Sequence, residues 1–469
     1  MARKTYQDLI AVGKRERDRM EFCHDVIKAH ESTAQYHKAM EAEEYYAGRN
    51  ITMRRYQKML YNSMGQAIPD YFNANYKLTH GFFRRFVTQQ VQYVLSNGVT
   101  FEKKDTKKKM GKTFDYALQR LAKKAMVDGV AFGFWNYDHL EVFSLVPTDA
   151  DAAFAPLWDN ETGALRAGVR YWNTEDGTLR MTLYEEDGIT EYIMPKDEII
   201  RLYAEKTGYI IHTRTTPAFG VEVIGHSNYP GFPIVPVYAN DLHATELNSI
   251  RASIDCYDFI KSGMANNVDQ ASAFYWTLTN CGGMDDIDLV NFVDKMNKVK
   301  AAVLMPEVEA EAHTLAVPVE ANEKLLDRLR TDMYQDFMLM DTEKALSGNI
   351  TATAIRLAYQ PQDDKCGDFE YMIREFIDHI LQLAGIDDEP SFKWNRIANQ
   401  AEETQMVMMA AAHLDDEAIL KHLPWMTPEE VEETLERMET SAVERTATPN
   451  REDAEAAPDE IDDGKEVEE

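Results

Sequence analysis

Cysteine is scarce in this chain: Cys23, Cys256, Cys281 and Cys366 are the only four in 469 residues, and no two form a CxxC pair. A disulfide framework and a structural zinc site are therefore not expected, and the four read as reduced thiols. Long apolar runs are missing as well. No stretch reaches the ~18–20 residues that a membrane-spanning helix needs, so no membrane partner is expected. The start, MARKTYQDLI, lacks an apolar core, so no secretory signal is expected. Positive charge is in deficit: 50 Lys plus Arg stand against 80 Asp plus Glu, a formal net charge of −30. That balance argues against a sequence-specific DNA binder, which needs a basic face and groove-reading residues. Catalytic signatures are absent too. There is no GxxxxGK[ST], HExxH or GxSxG. The Gly129–Gly133 stretch GVAFG is no dinucleotide fingerprint and reads as the start of a strand. His24, His30 and His37 are spaced six and seven apart, which suits packing better than metal ligation. No cofactor, no metal and no enzymatic activity are expected.

What is present is ordinary globular material, 44% hydrophobic and 10% aromatic, enough for two to four structural units. The pattern predicts an α+β chain. Residues 1–100 read mostly as helix, with Ala34–Glu44 rich in Ala and Glu, an interruption at Ile68-Pro69-Asp70, and a second helix over Leu78–Leu95 stopped at Asn97-Gly98. Thr113–Gly129 is amphipathic. Residues 130–240 alternate, and Asp176-Gly177 and Asp187-Gly188 supply the positive φ of tight hairpins, so an antiparallel meander is expected. From 241 the pattern returns to helix. Leu247, Ile250, Ile254, Tyr257, Ile260, Met264 and Val268 recur at helical spacing. A break at Trp276–Gly283, a short helix over Asp285–Lys300 and two strands within Ala301–Val319 follow. Glu320–Met340 is helical with Leu325, Leu329, Met333, Phe337 and Met340 on one stripe. A small polar segment centred on Gly348 comes next, then a long helix to Ala384 interrupted at Pro361. The last helices start at Asp415 and Thr427-Pro428, and the methionines of 406–409 read as core filler.

Charge is uneven. From Ala401 to the end, 22 carboxylates face five cations, so this stretch carries 17 of the 30 net negative charges. The final residues hold almost nothing apolar and are expected to be disordered. The opposite bias lies at Phe101–Lys124, where Lys103, Lys104, Lys107, Lys108, Lys109 and Lys112 cluster; it reads as a solvated loop feeding a helix. Asp285, Asp286 and Asp288 could be taken for a Mg²⁺ or Ca²⁺ cluster, but an EF-hand count from Asp285 puts Val290 and Met296 where Gly and Glu are required. An acidic helix start explains them better.

The order of parts, two long helices flanking a small insertion and then a polar loop and a long helix, resembles the portal proteins of tailed bacteriophages, in particular the siphophage portal family. The stretches that carry the resemblance are Tyr45-Tyr46-Ala-Gly48 with Ile51-Thr-Met-Arg54, Asn73-Ala-Asn-Tyr-Lys77, and Phe86 to Leu95. Further on they are Gly231-Phe-Pro-Ile-Val-Pro236, Asn240, Ser253 to Asp258, Ser262, Ala265-Asn266, Val317-Pro-Val-Glu320 and Ser347-Gly-Asn-Ile-Thr-Ala-Thr-Ala354. After Gly348-Asn349 the family tends toward Ser-Gly where this chain has Thr351-Ala352.

The resemblance implies a ring, usually of twelve subunits, at one capsid vertex, with double-stranded DNA passing through its channel. It implies a wing at 1–240 with the meander at 130–240, stem helices at 241–270 and 320–340, and a clip at 271–319. It further implies a tunnel loop and the start of a tunnel helix at 341–356, a kinked helix returning to the wing at 357–399, a crown at 400–442 and an acidic tail at 443–469. Ile250, Ile254, Tyr257, Leu325, Leu329 and Met333 would pack the stem. Lys344, Ser347, Gly348, Asn349, Thr351 and Arg356 would line the channel, and Asp285, Asp286, Lys295 and Lys298 would meet partners at the clip. Those partners would be the terminase large subunit during packaging and a head-completion adaptor afterwards, with major capsid and scaffold proteins at the wing. The site of action would be the virion, after assembly in the host cytoplasm. Two other classes stay open on the residues alone: a metal-dependent phage nuclease built on Asp285, Asp286 and Asp288, and a head-structural adaptor that is not a channel.

Overall fold

In the computed structural model the described residues are 3–61, 65–71, 75–149, 151–197, 199–216, 220–271, 275–279, 285, 287–288, 291, 309–313, 319–343, 352–395, 400–423, 426 and 428–447. They belong to two units, Met1–Ile350 with Ile355–Asn395, and Thr351–Ala354 with Arg396–Glu469.

The first unit starts with helices α1 (Tyr6–Val12), α2 (Glu16–Glu31), α3 (Ala34–Tyr46) and α4 (Ile51–Arg55). Three of these starts are written in the sequence as side-chain caps. Thr5 and Asp8 form a capping box, Thr33 accepts from the Tyr36 amide at 3.2 Å, and Asn50 accepts from the Met53 amide at 3.1 Å. A hairpin of β1 (Met59–Tyr61) and β2 (Ala67–Pro69) stands where a simple break was expected. Helix α5 (Phe82–Leu95) begins four residues later than its pattern predicts. The preceding segment is instead tied down by side chains: the Leu78 amide donates to Ser262 at 2.9 Å and the Tyr76 amide to Asn266 at 2.8 Å. After β3 (Val99–Phe101), the lysine cluster is not all loop but contains a short helix, α6 (Lys104–Lys109). Lys107 turns inward onto Asp115 at 2.6 Å and the Val99 carbonyl at 2.6 Å. Helix α7 (Phe114–Asp128) ends at Gly129, whose φ of +87° and whose approach to the Ala244–Thr245 backbone both demand glycine.

The strands that follow are β4 (Val130–Asn136), β5 (His139–Phe143), β6 (Ala153–Trp158), β7 (Leu165–Asn173), β8 (Leu179–Glu185), β9 (Gly188–Met194), β10 (Arg201–Thr207), β11 (Ile210–Thr216), β12 (Gly220–Ser227) and β13 (Ile234–Tyr238). They do not make one meander. A five-stranded antiparallel sheet runs β10-β9-β8-β7-β6, β11 and β12 pair as a separate hairpin, and β13 returns to β4 to give the order β13-β4-β5. The β13–β4 register (Ile234↔Phe134 to Tyr238↔Val130) joins segments about a hundred residues apart, which local alternation cannot reveal. The five-stranded sheet is covered by α1 and α2, with Leu9, Phe22, Cys23, Val26 and Ile27 against Leu157, Val169, Tyr171, Leu183 and Tyr192.

Beyond a 3-10 turn at Glu246–Ser249 come α8 (Arg251–Ala271), the pair β14 (Tyr275–Thr279) and β15 (Glu309–His313), and α9 (Val319–Asp336). Helix α10 (Ala352–Ala384) follows, and β16 (Pro390–Phe392) pairs back onto β3. Pro361 does not interrupt α10, which is one continuous helix through it. The main core lies between α5, α7, α10 and the β4 face and includes Phe86, Leu121, Trp135, Phe369, Ile373 and Phe376. A Cβ at Gly133 would fall 2.4 Å from Cζ of Phe376, so the bare strand backbone is what lets the α10 ring seat on β4.

The second unit holds α11 (Gln400–Ala410), α12 (Asp416–His422) and α13 (Pro428–Ala447). Asp415 caps α12 by accepting from the Ala418 amide at 2.8 Å, as its sequence predicts. The 406–409 methionines, expected as core, are a correction: Met406, Met408 and Met409 are exposed. Met406 and Met409 share a helix face, but Met408, two residues from one and one from the other, does not, so no single contact can bury all three. Helix α13 runs past 442; Thr427 and the acidic residues 448–469 lie outside the described residues.

Candidate functional site: the foot of a two-helix pair

Helices α8 and α9 pack on each other, and β14 and β15 continue them as an antiparallel ladder from Tyr275↔His313 to Thr279↔Glu309. The chain therefore leaves the first unit's core along one helix and returns along the other. Apolar contacts set the foot of this pair. Ile250, Ile254 and Met333 are buried, and the Phe86 ring stands 4.7 Å from Tyr334 and 5.2 Å from Phe337. Tyr257 is half-buried, its ring 4.9 Å from Phe82 and 5.0 Å from His80. The remaining two residues of the expected stripe sit differently: Leu329 is partly exposed and Leu325 is 46% exposed. The inward face carries Leu326, Met333 and Tyr334 instead. Both leucines of the 325–326 pair fit an apolar pattern, and only the packing partner decides which one turns inward.

Polar groups lock the foot. The Asp258 carboxylate is fully buried; it accepts from Asn50 Nδ2 at 2.8 Å and bonds His80 Nδ1 at 2.7 Å. Burial pushes its pKa above the usual carboxylate value, and these two partners oppose the rise. One turn away, Tyr45 OH donates to Asp255 Oδ1 at 2.5 Å and Thr52 to Asp255 Oδ2 at 2.9 Å. Burial, then the Asp255 bond, raises the Tyr45 phenol to about 12. On the other side, Lys365 of α10 gathers both helices. Its Nζ donates to Glu246 Oε2 at 2.5 Å, just before α8, and to the Phe337 carbonyl at 3.0 Å, just after α9, while lying 3.7 Å from the Phe337 ring centre. A cation at the end of α9 also meets the helix's negative pole.

The exit toward the polar loop is fixed just as closely. Met338 has a φ of +58°, which turns the chain out of α9. Both backbone groups of Met340 are held by side-chain amides: its N–H donates to Gln362 Oε1 at 3.1 Å, and its carbonyl accepts from Gln89 Nε2 at 3.0 Å. Arg330 donates to Asp341 at 3.1 Å and also to Glu343. Lys344, Ser347, Gly348, Asn349 and Thr351 lie outside the described residues, and Arg356 falls within α10. Of the expected clip residues, Asp286, Lys295 and Lys298 lie outside the described residues, and Asp285 is exposed. Its Oδ1 accepts from the amides of Ile287 at 3.1 Å and Asp288 at 3.0 Å, the bonding of a helix cap. Among the described residues no three His, Cys, Asp or Glu side chains are grouped to hold a metal ion, and no helix is long and apolar enough to cross a membrane. Sequence reasoning missed Lys365, Glu246, Gln89 and Gln362. The only local signal was Pro361, a helix-interior proline beside Gln362.

The sequence pattern of the phage portal proteins described as SPP1 Gp6-like matches residues 25–444. The chain belongs to this family. Two portal proteins are similar to it along most of both lengths. That of Clostridium phage phiCD119 is 21% identical over 407 residues, covering 77% of this chain and 84% of the relative. That of Bacillus phage SPP1 is 22% identical over 431 residues, covering 85% and 82%. Among solved structures, the neck of a native gene transfer agent particle computed with C12 symmetry is matched with a TM-score of 0.41 and 10% identity over 73% of this chain and 89% of that one. A portal family is one of structural components of the phage particle.

Proposed function

We propose that copies of this chain close into a ring, of twelve subunits by the family pattern, that forms the channel for double-stranded DNA at one capsid vertex. The observation that carries the reading is family membership over residues 25–444. In it α8 and α9 are the stem and the β14–β15 region belongs to the clip. The segment after Met340 is the tunnel loop, which brings Lys344, Ser347, Gly348, Asn349, Thr351 and Arg356 to the channel. Residues 1–240 with 357–399 are the wing, and residues 400–442 are the crown. The clip, with Asp285, Asp286, Lys295 and Lys298, docks the terminase large subunit and later a head-completion adaptor. The wing meets major capsid and scaffold proteins in the host cytoplasm, and the ring ends in the virion.

The chemistry suits a conduit. Each phosphate neutralised by Lys or Arg releases counterions and steepens binding by a log-salt slope of about 0.9, so a wall with many such contacts would hold the duplex. A chain of net charge −30, repeated around an axis, offers few of them. The foot described above supports the same role. A loop that works beside moving DNA needs a rigid base, and Gln89, Gln362, Lys365 and Arg330 supply one. Negative-stain imaging of the purified protein tests the reading. Holed rings of uniform subunit number are expected; solitary particles without a hole, or Mg²⁺-dependent DNA cleavage lost in Asp286→Ala, overturn it.

A further inference from the structure

Helices α3 and α7 pack on each other, and a pocket of about 260 Å³ opens beside their seam. Tyr46 of α3 lines it together with a stripe of α7: Tyr116, Arg120, Lys123 and Val127. The α7 residues are spaced four, three and four apart, so they stack on one helix face turn by turn.

Most of the pocket wall is tied in place by the chain itself. Lys124 donates to Glu43 Oε1 at 2.5 Å and lies 3.5 Å from Asp151 Oδ2, and Arg120 also donates to Asp151. Gln119 accepts from Gln92 Nε2 at 3.0 Å and donates to the Leu95 carbonyl at 2.9 Å. The Tyr46 ring stands edge-on to Phe83 at 6.3 Å. Asp128, one turn beyond Lys124, is buried and its Oδ2 is taken by the Ser144 hydroxyl and the Leu145 amide. Two lining groups are left over. Lys123 has no ion-pair partner among the described residues, and Tyr116 is 73% exposed with no ring or hydrogen-bond partner among them. The pocket therefore presents a fixed aromatic wall, a loose aromatic wall and one unmatched ammonium between them and Val127.

We propose that this pocket is a docking site for a short acidic segment of another protein, with one aromatic side chain seated against Tyr46 and Tyr116 and a neighbouring carboxylate paired to Lys123. Size and charge together choose this occupant. Small-molecule sites enclose roughly 300–1,000 Å³, and this pocket falls below that range and suits a single large side chain. Glu43 and Asp151 are already matched by Lys124 and Arg120, so the charge still unmet at the pocket is positive and calls for an anion. Duplex DNA fits poorly, because its affinity is the sum of many neutralised phosphates and the pocket supplies one unpaired cation. Both walls belong to one chain, so the proposal goes beyond the ring reading and does not depend on it.

Fluorescence anisotropy on the full-length protein tests it, with a labelled, end-blocked Glu-Asp-Trp-Asp-Glu peptide as the probe. The wild-type protein is expected to bind it, and Lys123→Glu to weaken binding about tenfold or more. Lys14→Glu, at an exposed position elsewhere, makes the same change in net charge and is expected to leave binding unaltered. Tyr116→Ser is expected to weaken binding about fivefold, and to have no effect on a peptide in which Ala replaces Trp. Lys123 and Tyr116 both reach the surface, so each variant is expected to keep the wild-type melting curve. No binding by the wild-type protein, equal binding by Lys123→Glu, or equal binding of a Lys-Lys-Trp-Lys-Lys peptide overturns the proposal. So does a 20-base-pair duplex that displaces the peptide from wild type but not from Lys123→Glu, which would make the pocket a nucleic-acid contact. Tighter peptide binding by a chain lacking residues 448–469 also overturns it, by assigning the pocket to this protein's own acidic end. Micrographs with or without rings leave all of these outcomes unchanged.

Discussion

Replacing Lys365 with Met separates the two charges that tie α10 to the feet of α8 and α9 while keeping most of the aliphatic stem. The Lys365 and Glu246 side chains are only 16% and 9% exposed. Removing one member of a buried pair costs about 3–5 kcal/mol, because the other charge stays buried without its partner. Glu246 keeps one bond, from Asn240 Nδ2 at 2.7 Å, so the low end applies. About 3 kcal/mol is a factor of roughly 150 in an opening equilibrium. The loss is local, since the same ammonium also holds the Phe337 carbonyl. Hydrogen exchange followed by mass spectrometry is therefore the sharpest assay. Amides of Ile250 and Leu339 are expected to exchange about a hundred times faster in Lys365→Met, while those of Phe22 to Ile27 in α2 are unchanged. Glu246→Gln alone is expected to have a smaller effect, and the double variant to fall well short of the sum of the two singles. Additive effects, or no acceleration at residues 246–254 and 333–340, would refute the argument that Lys365 joins the two helices.

Four further outcomes follow from named groups. Asp128 is buried beside Glu43 and Lys124, and its Oδ2 accepts from the Ser144 hydroxyl at 2.8 Å and the Leu145 amide at 3.3 Å. Burial, then Glu43, raises its pKa well above the carboxylate range, so the folded state keeps a proton that the unfolded state loses. Stability should fall by up to about 1.4 kcal/mol per unit as pH rises above about 4 toward the folded value, and Asp128→Asn should remove that slope in urea titrations. His30 behaves in the opposite sense: burial lowers it to about 4, and its Nε2 bonds the Leu145 carbonyl at 2.8 Å. The neutral ring's contribution is whole above pH 6.5 and is lost as pH falls toward 4, at a total of about 3 kcal/mol; a histidine NMR titration with its midpoint near 6.5 would contradict this. Gly133→Ala should destabilise by about 1–3 kcal/mol in thermal melts, because its methyl would overlap the Phe376 ring, and Phe376→Leu should relieve it. A charge at Leu329, which is only partly buried, is expected to prevent ring assembly; intact rings by native mass spectrometry would count against the stem assignment.

Legibility in the sequence followed the range of the interactions. The strands at Leu165–Asn173, Leu179–Glu185 and Gly188–Met194 are neighbours joined by tight turns, and Asp-Gly dipeptides with alternation were enough to find them. The cap at Asp415 is likewise local. The pairing of β13 with β4 was not legible, because nothing in the local pattern says which distant strand meets that edge. The choice of Leu326 over Leu325 was not legible either, because both satisfy a helical stripe and the difference is one of about 100° in orientation. Lys365 carried no signal at all. A lysine in a helix reads as a solvent face until the fold brings Glu246 and the end of α9 beside it.

By itself the sequence determined the mixed helix-and-strand character, the acidic balance, the order of parts and, through that order, the kinship with portal proteins. These are sums or neighbour relations along the chain, and they survive without knowing any long-range contact. Tertiary structure alone decided which faces of α8 and α9 are buried within the chain and which stay exposed. It also decided that the polar loop begins from a backbone clamped by two glutamines, and that one lysine joins two helices' ends. Each of those depends on groups far apart in sequence arriving within a few ångströms, and a desolvated contact has its strength only once both partners have lost their water.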